Sequence, residues 1–86
     1  MHCFYVLKSK KDHDLYYGFS DHLRARLIDH NKGSNASTKY RRPFVLVYYE
    51  AYASKVDAMN REWQIKKNGK AYAQLKRRIE KSIHEA

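Results

Sequence analysis

Residues 3–33 read CFYVLKSKKDHDLYYGFSDHLRARLIDHNKG, the stretch that decides the fold. It opens with an apolar run over residues 3–8, which is typical of a buried strand. A second apolar run follows over residues 15–19, and the polar residues 9–14 between the two predict a turn. The two runs therefore predict a β-hairpin.

The same stretch then predicts a helix over about residues 21–32. Ser20 suits the N-cap because its hydroxyl can accept a backbone N–H, and Asp21 favours the positive end of the helix. Gly33 suits the stop because glycine readily adopts the left-handed conformation that follows many helices. A helix therefore follows the hairpin directly.

The rest of the chain adds a strand and two helices. Residues 44–49, FVLVYY, predict the third strand because β-branched and aromatic side chains favour strands. Ser54 begins a helix that is expected to run to about Asn68 and to end at Gly69. A last amphipathic helix is expected over about residues 70–84, with its lysines and arginines outward.

The element order β-β-α-β-α-α predicts an α+β fold, with a small, mainly antiparallel three-stranded sheet flanked by helices. Eighty-six residues with 43% apolar content supply one modest core, so we expect residues 1–86 to form one domain. Cys3 is the only cysteine, which excludes an internal disulfide and fits a reducing, cytoplasmic setting. No segment approaches the roughly 20 apolar residues of a membrane span, so we expect a soluble chain without a membrane partner.

The charge of the chain indicates a polyanionic partner. Its formal net charge is +9, and nucleic acid is the polyanion that such a balance favours first. Ribosome association and charge that serves only solubility are the alternatives. A basic loop before the third strand is expected to bind phosphates, unless it is simply a solvated connection. The residues predicted to bind are Lys39, Tyr40, Arg41 and Arg42.

Polar side chains lie among the apolar positions of the first predicted helix. At about 100° per residue, Arg26 and His30 share one narrow face with Leu23 and Leu27. A single such residue is more often structural, for example a core histidine that is hydrogen-bonded to a carbonyl. An arginine and a histidine together indicate a polar site.

Glu62 has a similar position on the second predicted helix. It falls inside an apolar arc, where an unpaired carboxylate would cost several kcal/mol. The apolar residues of this arc are Val56, Met59 and Trp63 on one side of Glu62 and Ala58 and Ile65 on the other. Glu62 therefore needs a cation, a set of donors or exposure in a cleft. A buried salt bridge with Arg26 would also meet this need.

The ordered set of residues resembles the GIY-YIG nuclease domain, from Phe4 to about Ile79. The matching elements are Tyr5 on a strand, Tyr16 and Gly18 in a Tyr-x-Gly pattern, Arg26 and His30 one helical turn apart, and Glu62 on a later helix. The first motif reads Cys3-Phe4-Tyr5 in place of Gly-Ile-Tyr, and Tyr17 replaces an isoleucine. The chain looks most like the short bacterial branch that consists of this domain alone.

The resemblance implies metal-dependent hydrolysis of a phosphodiester, with one Mg²⁺ or Mn²⁺ held by Glu62. It makes Tyr5 the general base, although a phenol with a pKa near 10 needs help at neutral pH. Arg26 would stabilise charge on the phosphate, and His30 would accept or orient the tyrosine proton. Tyr16 would hydrogen-bond substrate or water. Gly18 would permit close approach of substrate or of the following helix.

The predicted function is that of a small metal-dependent endonuclease in DNA repair or processing, structure-selective or nonspecific. A noncatalytic nucleic-acid-binding module with the same fold is the alternative. A third interpretation is a subunit that supplies a nuclease site to a larger repair complex. A homodimer is the other assembly that fits the sequence. Many larger members of the family that the chain resembles also carry a late asparagine near the site, for which Asn60 and Asn68 are the nearest candidates.

Overall fold

The computed structural model describes residues 1–86. Three strands and four α-helices follow one another in the order β-β-α-β-α-α-α. They are β1 (His2–Ser9), β2 (Leu15–Ser20), α1 (Leu23–Lys32), β3 (Phe44–Tyr52), α2 (Lys55–Lys67), α3 (Gly69–Arg78) and α4 (Glu80–Glu85), with a short 3₁₀ helix (Lys39–Arg41) before β3. None of the helices is long and apolar enough to cross a membrane.

The strands form one sheet in the order β2-β1-β3, and β1 pairs antiparallel with both neighbours. The predicted α+β fold with a three-stranded antiparallel sheet is confirmed. Alternation along the central strand sends successive side chains to opposite faces of the sheet. An irregularity in the β1–β3 register lies between Val6 and Leu7.

Each face of the sheet is covered by helices. On one face Tyr5 and Leu7 of β1 pack with Phe44 and with side chains of α1. On the other face Phe4 and Val6 pack against α2, α3 and α4. The helix residues buried there are Ile65, Ala71 and Leu75, with Ile79 between α3 and α4. The molecule thus has three layers, and Tyr5 belongs to the layer between β1 and α1.

The boundaries of α1 differ from the prediction at one end. Gly33 follows the helix in the left-handed conformation (φ 80°), as expected of a glycine stop. The helix begins at Leu23, and the Ser20 hydroxyl accepts a hydrogen bond from His22 N, so Ser20 is not the N-cap. Asp21 instead pairs with His2 at the start of β1.

The C-terminal segment also differs from the prediction. The single helix expected over about residues 70–84 consists of α3 and α4, separated at Ile79. Gly69 does not end α2 but is the first residue of α3. The break lies at Asn68, whose side chain accepts hydrogen bonds from Lys70 N and Ala71 N and thereby caps α3.

The predicted apolar arc of α2 is buried only in part. Its members Ala58 and Ile65 are buried, whereas the other three are exposed. These residues, which we call the α2 stripe, are Val56 (62% exposed), Met59 (47%) and Trp63 (66%). The reason lies in Arg61, whose guanidinium bonds the Glu50 carboxylate on β3 and fixes the rotation of the helix.

This orientation predicts unequal effects of two truncations on α2. Ile65→Ala should lower the free energy of unfolding by about 2–5 kcal/mol, because Ile65 is only 2% exposed. Val56→Ala should change it by less than about 0.5 kcal/mol, because that side chain already contacts water. Urea unfolding of both variants measures the difference, and equal losses would contradict this orientation.

Candidate active site

Tyr5 lies on the central strand, and its side chain is almost fully buried. Gly18 lies directly opposite on β2. A Cβ added at Gly18 would lie 2.8 Å from the Tyr5 hydroxyl oxygen and 3.0 Å from its Cζ. The tyrosine side chain therefore occupies the space that glycine leaves. The neighbour that requires glycine here is Tyr5, rather than substrate or the following helix.

His30 is fully buried on α1 and bridges two hydroxyl groups. Its Nε2 lies 3.1 Å from the Tyr5 hydroxyl oxygen, and its Nδ1 lies 2.8 Å from Thr38 Oγ1. Thr38 is also buried and belongs to the loop that follows α1. A chain of hydrogen bonds thus connects β1, α1 and this loop.

The direction of these bonds follows from their last member. The Thr38 hydroxyl lies 3.5 Å from the Asn35 carbonyl oxygen, which can only accept. If Thr38 donates there, it accepts from Nδ1–H of His30, and Nε2 is left as an acceptor. We therefore assign the Tyr5 hydroxyl as the donor to His30. Every buried side-chain nitrogen and oxygen in the protein has a partner.

Tyr16 lies beside this chain of hydrogen bonds. It is half-buried on β2, and its ring meets the His30 ring edge-on, with centroids 5.0 Å apart. Phe44 packs beside both rings, and its ring centroid lies 6.3 Å from that of Tyr16 and 5.9 Å from that of His30. The Tyr16 hydroxyl makes no hydrogen bond within the protein and is free for another partner.

Burial and three neighbouring side chains influence the pKa of Tyr5. Burial raises the pKa of Tyr5 well above its usual range, and the neighbouring Tyr16 acts in the same direction. The Arg26 guanidinium opposes this rise in pKa, whereas the Glu62 carboxylate adds to it. Charged groups of α1 and α2 therefore both act on the Tyr5 phenol.

Arg26 is exposed on α1 and forms neither a salt bridge nor a side-chain hydrogen bond. It does not pair with Glu62, so the alternative of a buried Arg26–Glu62 salt bridge is wrong. Its charge nevertheless reaches Tyr5 and His30, whose pKa values it lowers. A guanidinium in this position is available to an anionic group near Tyr5.

Glu62 is half-buried on α2, where its carboxylate lies 3.3 Å from Lys66 Nζ. The protein has no group of three or more His, Cys, Asp or Glu side chains placed to hold a metal ion. Mg²⁺, however, is commonly held by one or two carboxylates together with waters and substrate phosphates. One partly exposed carboxylate whose charge acts on the Tyr5 phenol fits such an ion.

An ion pair next to Glu62 in sequence fastens α2 to the sheet. Arg61 Nε lies 3.0 and 3.2 Å from the two carboxylate oxygens of Glu50 on β3. Tyr48 O–H donates to the same carboxylate at 2.7 Å, and Tyr52 O–H donates to it as well. Glu50 thus accepts from three donors, which hold the helix segment that carries Glu62.

The four residues of the predicted basic loop have different surroundings. Arg41 pairs with Asp12 at 2.7 Å and lies over the Phe44 ring, so it ties the loop to the β1–β2 turn. Lys39, Tyr40 and Arg42 are exposed, and Tyr40 retains 74% of its accessible surface. Three of the four side chains are therefore accessible to a partner.

Neither candidate asparagine forms a side-chain hydrogen bond with Tyr5, His30 or Glu62. Asn68 caps α3, and Asn60 is exposed on α2 away from its buried face. The sequence did not predict two contacts around the site, that of Thr38 with His30 and that of Arg61 with Glu50. Thr38 occurs in a loop without periodicity, so its only signal is its position in a polar turn after the helix that carries His30.

The environment of His30 predicts a pH-dependent stability. Burial lowers the pKa of His30 below its ordinary value of 6.5, and Arg26 lowers it further against the opposing charge of Asp29. The unfolded chain therefore takes up this proton at a higher pH than the folded chain does. The stabilisation is present above about pH 6.5 and is lost as the pH falls below it.

Urea unfolding at about pH 7.5 and about pH 5.5 measures this effect. His30→Gln should show a smaller fall in unfolding free energy between the two pH values than the wild type shows. His84, exposed on α4, supplies the control, because His84→Gln should retain the wild-type dependence. An unchanged dependence in His30→Gln would mean that His30 is not kept neutral by the fold.

Comparison with known proteins identifies the family. The model of the GIY-YIG catalytic domain matches residues 1–80. A UPF0213 protein of Staphylococcus haemolyticus is 48% identical over 66 residues, which are 76% of this chain and 79% of that protein. A UPF0213 protein of Bacillus pumilus is 46% identical over 66 residues, which are 76% of this chain and 66% of that protein. No solved structure matches the chain significantly. The chain belongs to the GIY-YIG family, and its relatives are short bacterial UPF0213 proteins.

Proposed function

We propose that the protein is a small metal-dependent endonuclease that hydrolyses phosphodiester bonds in DNA, in DNA repair or processing. The observation that carries the proposal is the buried Tyr5–His30 hydrogen bond, with the charges of Arg26 and Glu62 close enough to shift the pKa of Tyr5. Membership of a nuclease family supports the same conclusion. Residues 1–86 act as one nuclease domain in the cytoplasm.

Tyr5 and His30 act together as the base in this proposal. A phenol whose pKa is raised by burial is protonated at neutral pH and cannot act as a preformed phenolate. The hydrogen bond to His30 Nε2 removes this difficulty. As the Tyr5 oxygen takes a proton from the attacking water, its own proton passes to His30, whose lowered pKa keeps it neutral beforehand.

Arg26 and Tyr16 bind the phosphate that is cut. The unpaired guanidinium of Arg26 donates to the non-bridging oxygens, on which negative charge grows as the water attacks. The free Tyr16 hydroxyl donates to the same phosphate or holds the attacking water. Both groups come from elements that pack around His30, so the reacting phosphate sits beside the Tyr5 hydroxyl.

Glu62 is the residue that would hold the divalent ion, Mg²⁺ or Mn²⁺. Nucleases of this family generally use such an ion, which would supply positive charge beside the phosphate and lower the pKa of a bound water. The contacts of Arg61 with Glu50 keep the Glu62 segment on the sheet. Lys66 compensates the Glu62 charge in the free protein.

The exposed residues of the basic loop extend the site along the nucleic-acid backbone. We assign Lys39 and Arg42 to phosphates and Tyr40 to a base or sugar, because all three side chains face solvent. Arg41 holds the loop in place through Asp12. Contacts of this kind follow the backbone rather than the base sequence, so cutting depends on DNA structure or is nonspecific.

Incubation with branched, nicked, single-stranded and duplex DNA, with Mg²⁺ or Mn²⁺ and with EDTA, tests the proposal. We expect product from at least one DNA in the presence of metal and none with EDTA. Strongly salt-dependent binding without any cleavage would instead indicate a noncatalytic nucleic-acid-binding module. Cleavage that persists in EDTA would contradict the metal-dependent mechanism.

A further inference from the structure

The α2 stripe is an apolar surface that the rest of the protein covers only in part. Val56, Met59 and Trp63 are three and four residues apart, so they line one side of the helix. Between 47% and 66% of their surface is exposed. Contiguous large apolar side chains on the surface of a small protein mark a binding site.

The stripe borders the proposed active site. Glu62 is three residues after Met59 and four after Ala58, so it is a neighbour of both on the helix surface. Ala58 belongs to the buried face of α2 and Met59 to the stripe. Glu62 therefore lies at the edge between sheet and stripe, and whatever covers Met59 and Trp63 also lies beside the carboxylate.

Three lysines and two carboxylates, Asp57 and Glu62, border the stripe, so its net positive charge favours an anionic occupant. Lys66 follows Glu62 by one turn and Lys67 follows Lys66, so both lie at the C-terminal end beside Trp63. Lys55 lies at the other end, next to Val56, with its ammonium group over the Phe19 ring. Lys55 and Lys67 have no ion-pair partner. An apolar partner surface would gain nothing from these lysines, whereas a nucleic-acid strand offers bases to the stripe and phosphates to its border.

We propose that the α2 stripe is a subsite for an unpaired nucleobase, with the Trp63 indole as its stacking surface. The inference rests on the nuclease function proposed above, because it places the base next to the phosphate at Tyr5 and Glu62. Bases in a duplex already stack on their neighbours, whereas a flap, branch or single strand has free faces. The preferred substrate therefore carries an unpaired nucleotide beside the cut.

Trp63 is the only tryptophan, so its fluorescence reports on this subsite alone. A short single-stranded DNA, added in EDTA so that no cleavage occurs, should quench the fluorescence as it binds. An abasic strand of equal length carries the same phosphates without bases and should quench little at equal saturation. Equal quenching by both strands, or none by either when anisotropy shows that both bind, would overturn the proposal.

Variants give a second measurement that does not depend on fluorescence. Trp63→Leu should weaken binding of the base-containing strand about tenfold, while Trp63→Phe retains most of the affinity. Neither substitution should change binding of the abasic strand. Tyr49→Leu, which removes an exposed aromatic residue from β3, is the matched control and should bind like the wild type. Unchanged binding of the base-containing DNA strand by Trp63→Leu would overturn the proposal. The stripe would then be a surface for a protein partner.

The two proposals fail separately. If the protein shows base-dependent quenching but cuts no DNA, the nuclease function is contradicted. The base subsite would then belong to a noncatalytic nucleic-acid-binding protein. Metal-dependent cutting without base-dependent quenching would retain the nuclease and remove the subsite.

Discussion

Tyr5→Phe is expected to lower the rate constant of cleavage by about 10²–10⁴-fold. The substitution removes only the hydroxyl that donates to His30 Nε2, at 3.1 Å. The ring that fills the space above Gly18 is retained, so the fold should survive with a loss of about 1–3 kcal/mol for the unpaired His30 nitrogen. Single-turnover kinetics at saturating DNA measure the rate constant, and circular dichroism confirms that the variant is folded.

Tyr49→Phe is the matched control for this substitution. Tyr49 is the cross-strand partner of Tyr5 on β3, but its side chain is 53% exposed and makes no side-chain hydrogen bond. It should therefore cut DNA at the wild-type rate. A wild-type rate for Tyr5→Phe would show that the phenol takes no part in proton transfer, whatever the other candidate site residues do.

Gly18→Ala is expected to damage both stability and activity. The new Cβ would meet the buried Tyr5 hydroxyl at 2.8 Å and its Cζ at 3.0 Å, so the ring must move. Overpacking of this kind costs about 1–3 kcal/mol, and a displacement of about 1 Å in a catalytic group can lower the rate about 10²-fold. Urea unfolding and single-turnover cleavage measure the two losses.

Gly69→Ala provides the comparison, since a Cβ at that position has nothing within 4 Å. Because Gly69 begins α3, alanine there should leave stability unchanged or slightly higher. A double mutant sharpens the test: in Tyr5→Phe the atom closest to the added Cβ is absent, so the further cost of Gly18→Ala should shrink. Equal costs in both backgrounds would mean that Tyr5 is not the neighbour that requires glycine.

Local patterns in the sequence predicted the sheet and α1 well. Apolar runs separated by a polar turn determine the hairpin, and Gly33 can end a helix without help from distant residues. The shared face of Arg26 and His30 follows from the helical repeat alone. These features depend on neighbours within a few turns of chain, which are visible in the sequence.

The rotation of α2 could not be predicted in the same way. The helix has one small buried row, Ala58 and Ile65, and one larger apolar row, the α2 stripe. Side-chain size favours burial of the larger row. The ion pair of Arg61 with Glu50, eleven residues away on β3, instead turns the smaller row toward the sheet. No local pattern in the sequence predicts this ion pair.

The partners of the candidate site residues were also hidden from the sequence. His30 contacts Thr38 only because the loop after α1 folds back over the helix. Arg41 is half-buried because it pairs with Asp12 in the β1–β2 turn. Both contacts are made by loops, whose course depends on tertiary packing. Residue types and order therefore predicted a candidate set of side chains, but the hydrogen-bond partners required the structure.

The most direct test of the proposed nuclease site is single-turnover cleavage by Glu62→Gln in the presence of Mn²⁺. Glutamine retains the size of the side chain and removes its charge. Glu80→Gln, at an exposed position of α4, is the control. We predict wild-type cleavage by Glu80→Gln and no product above the EDTA background from folded Glu62→Gln. Cleavage by Glu62→Gln at the wild-type rate would contradict the assignment of the active site.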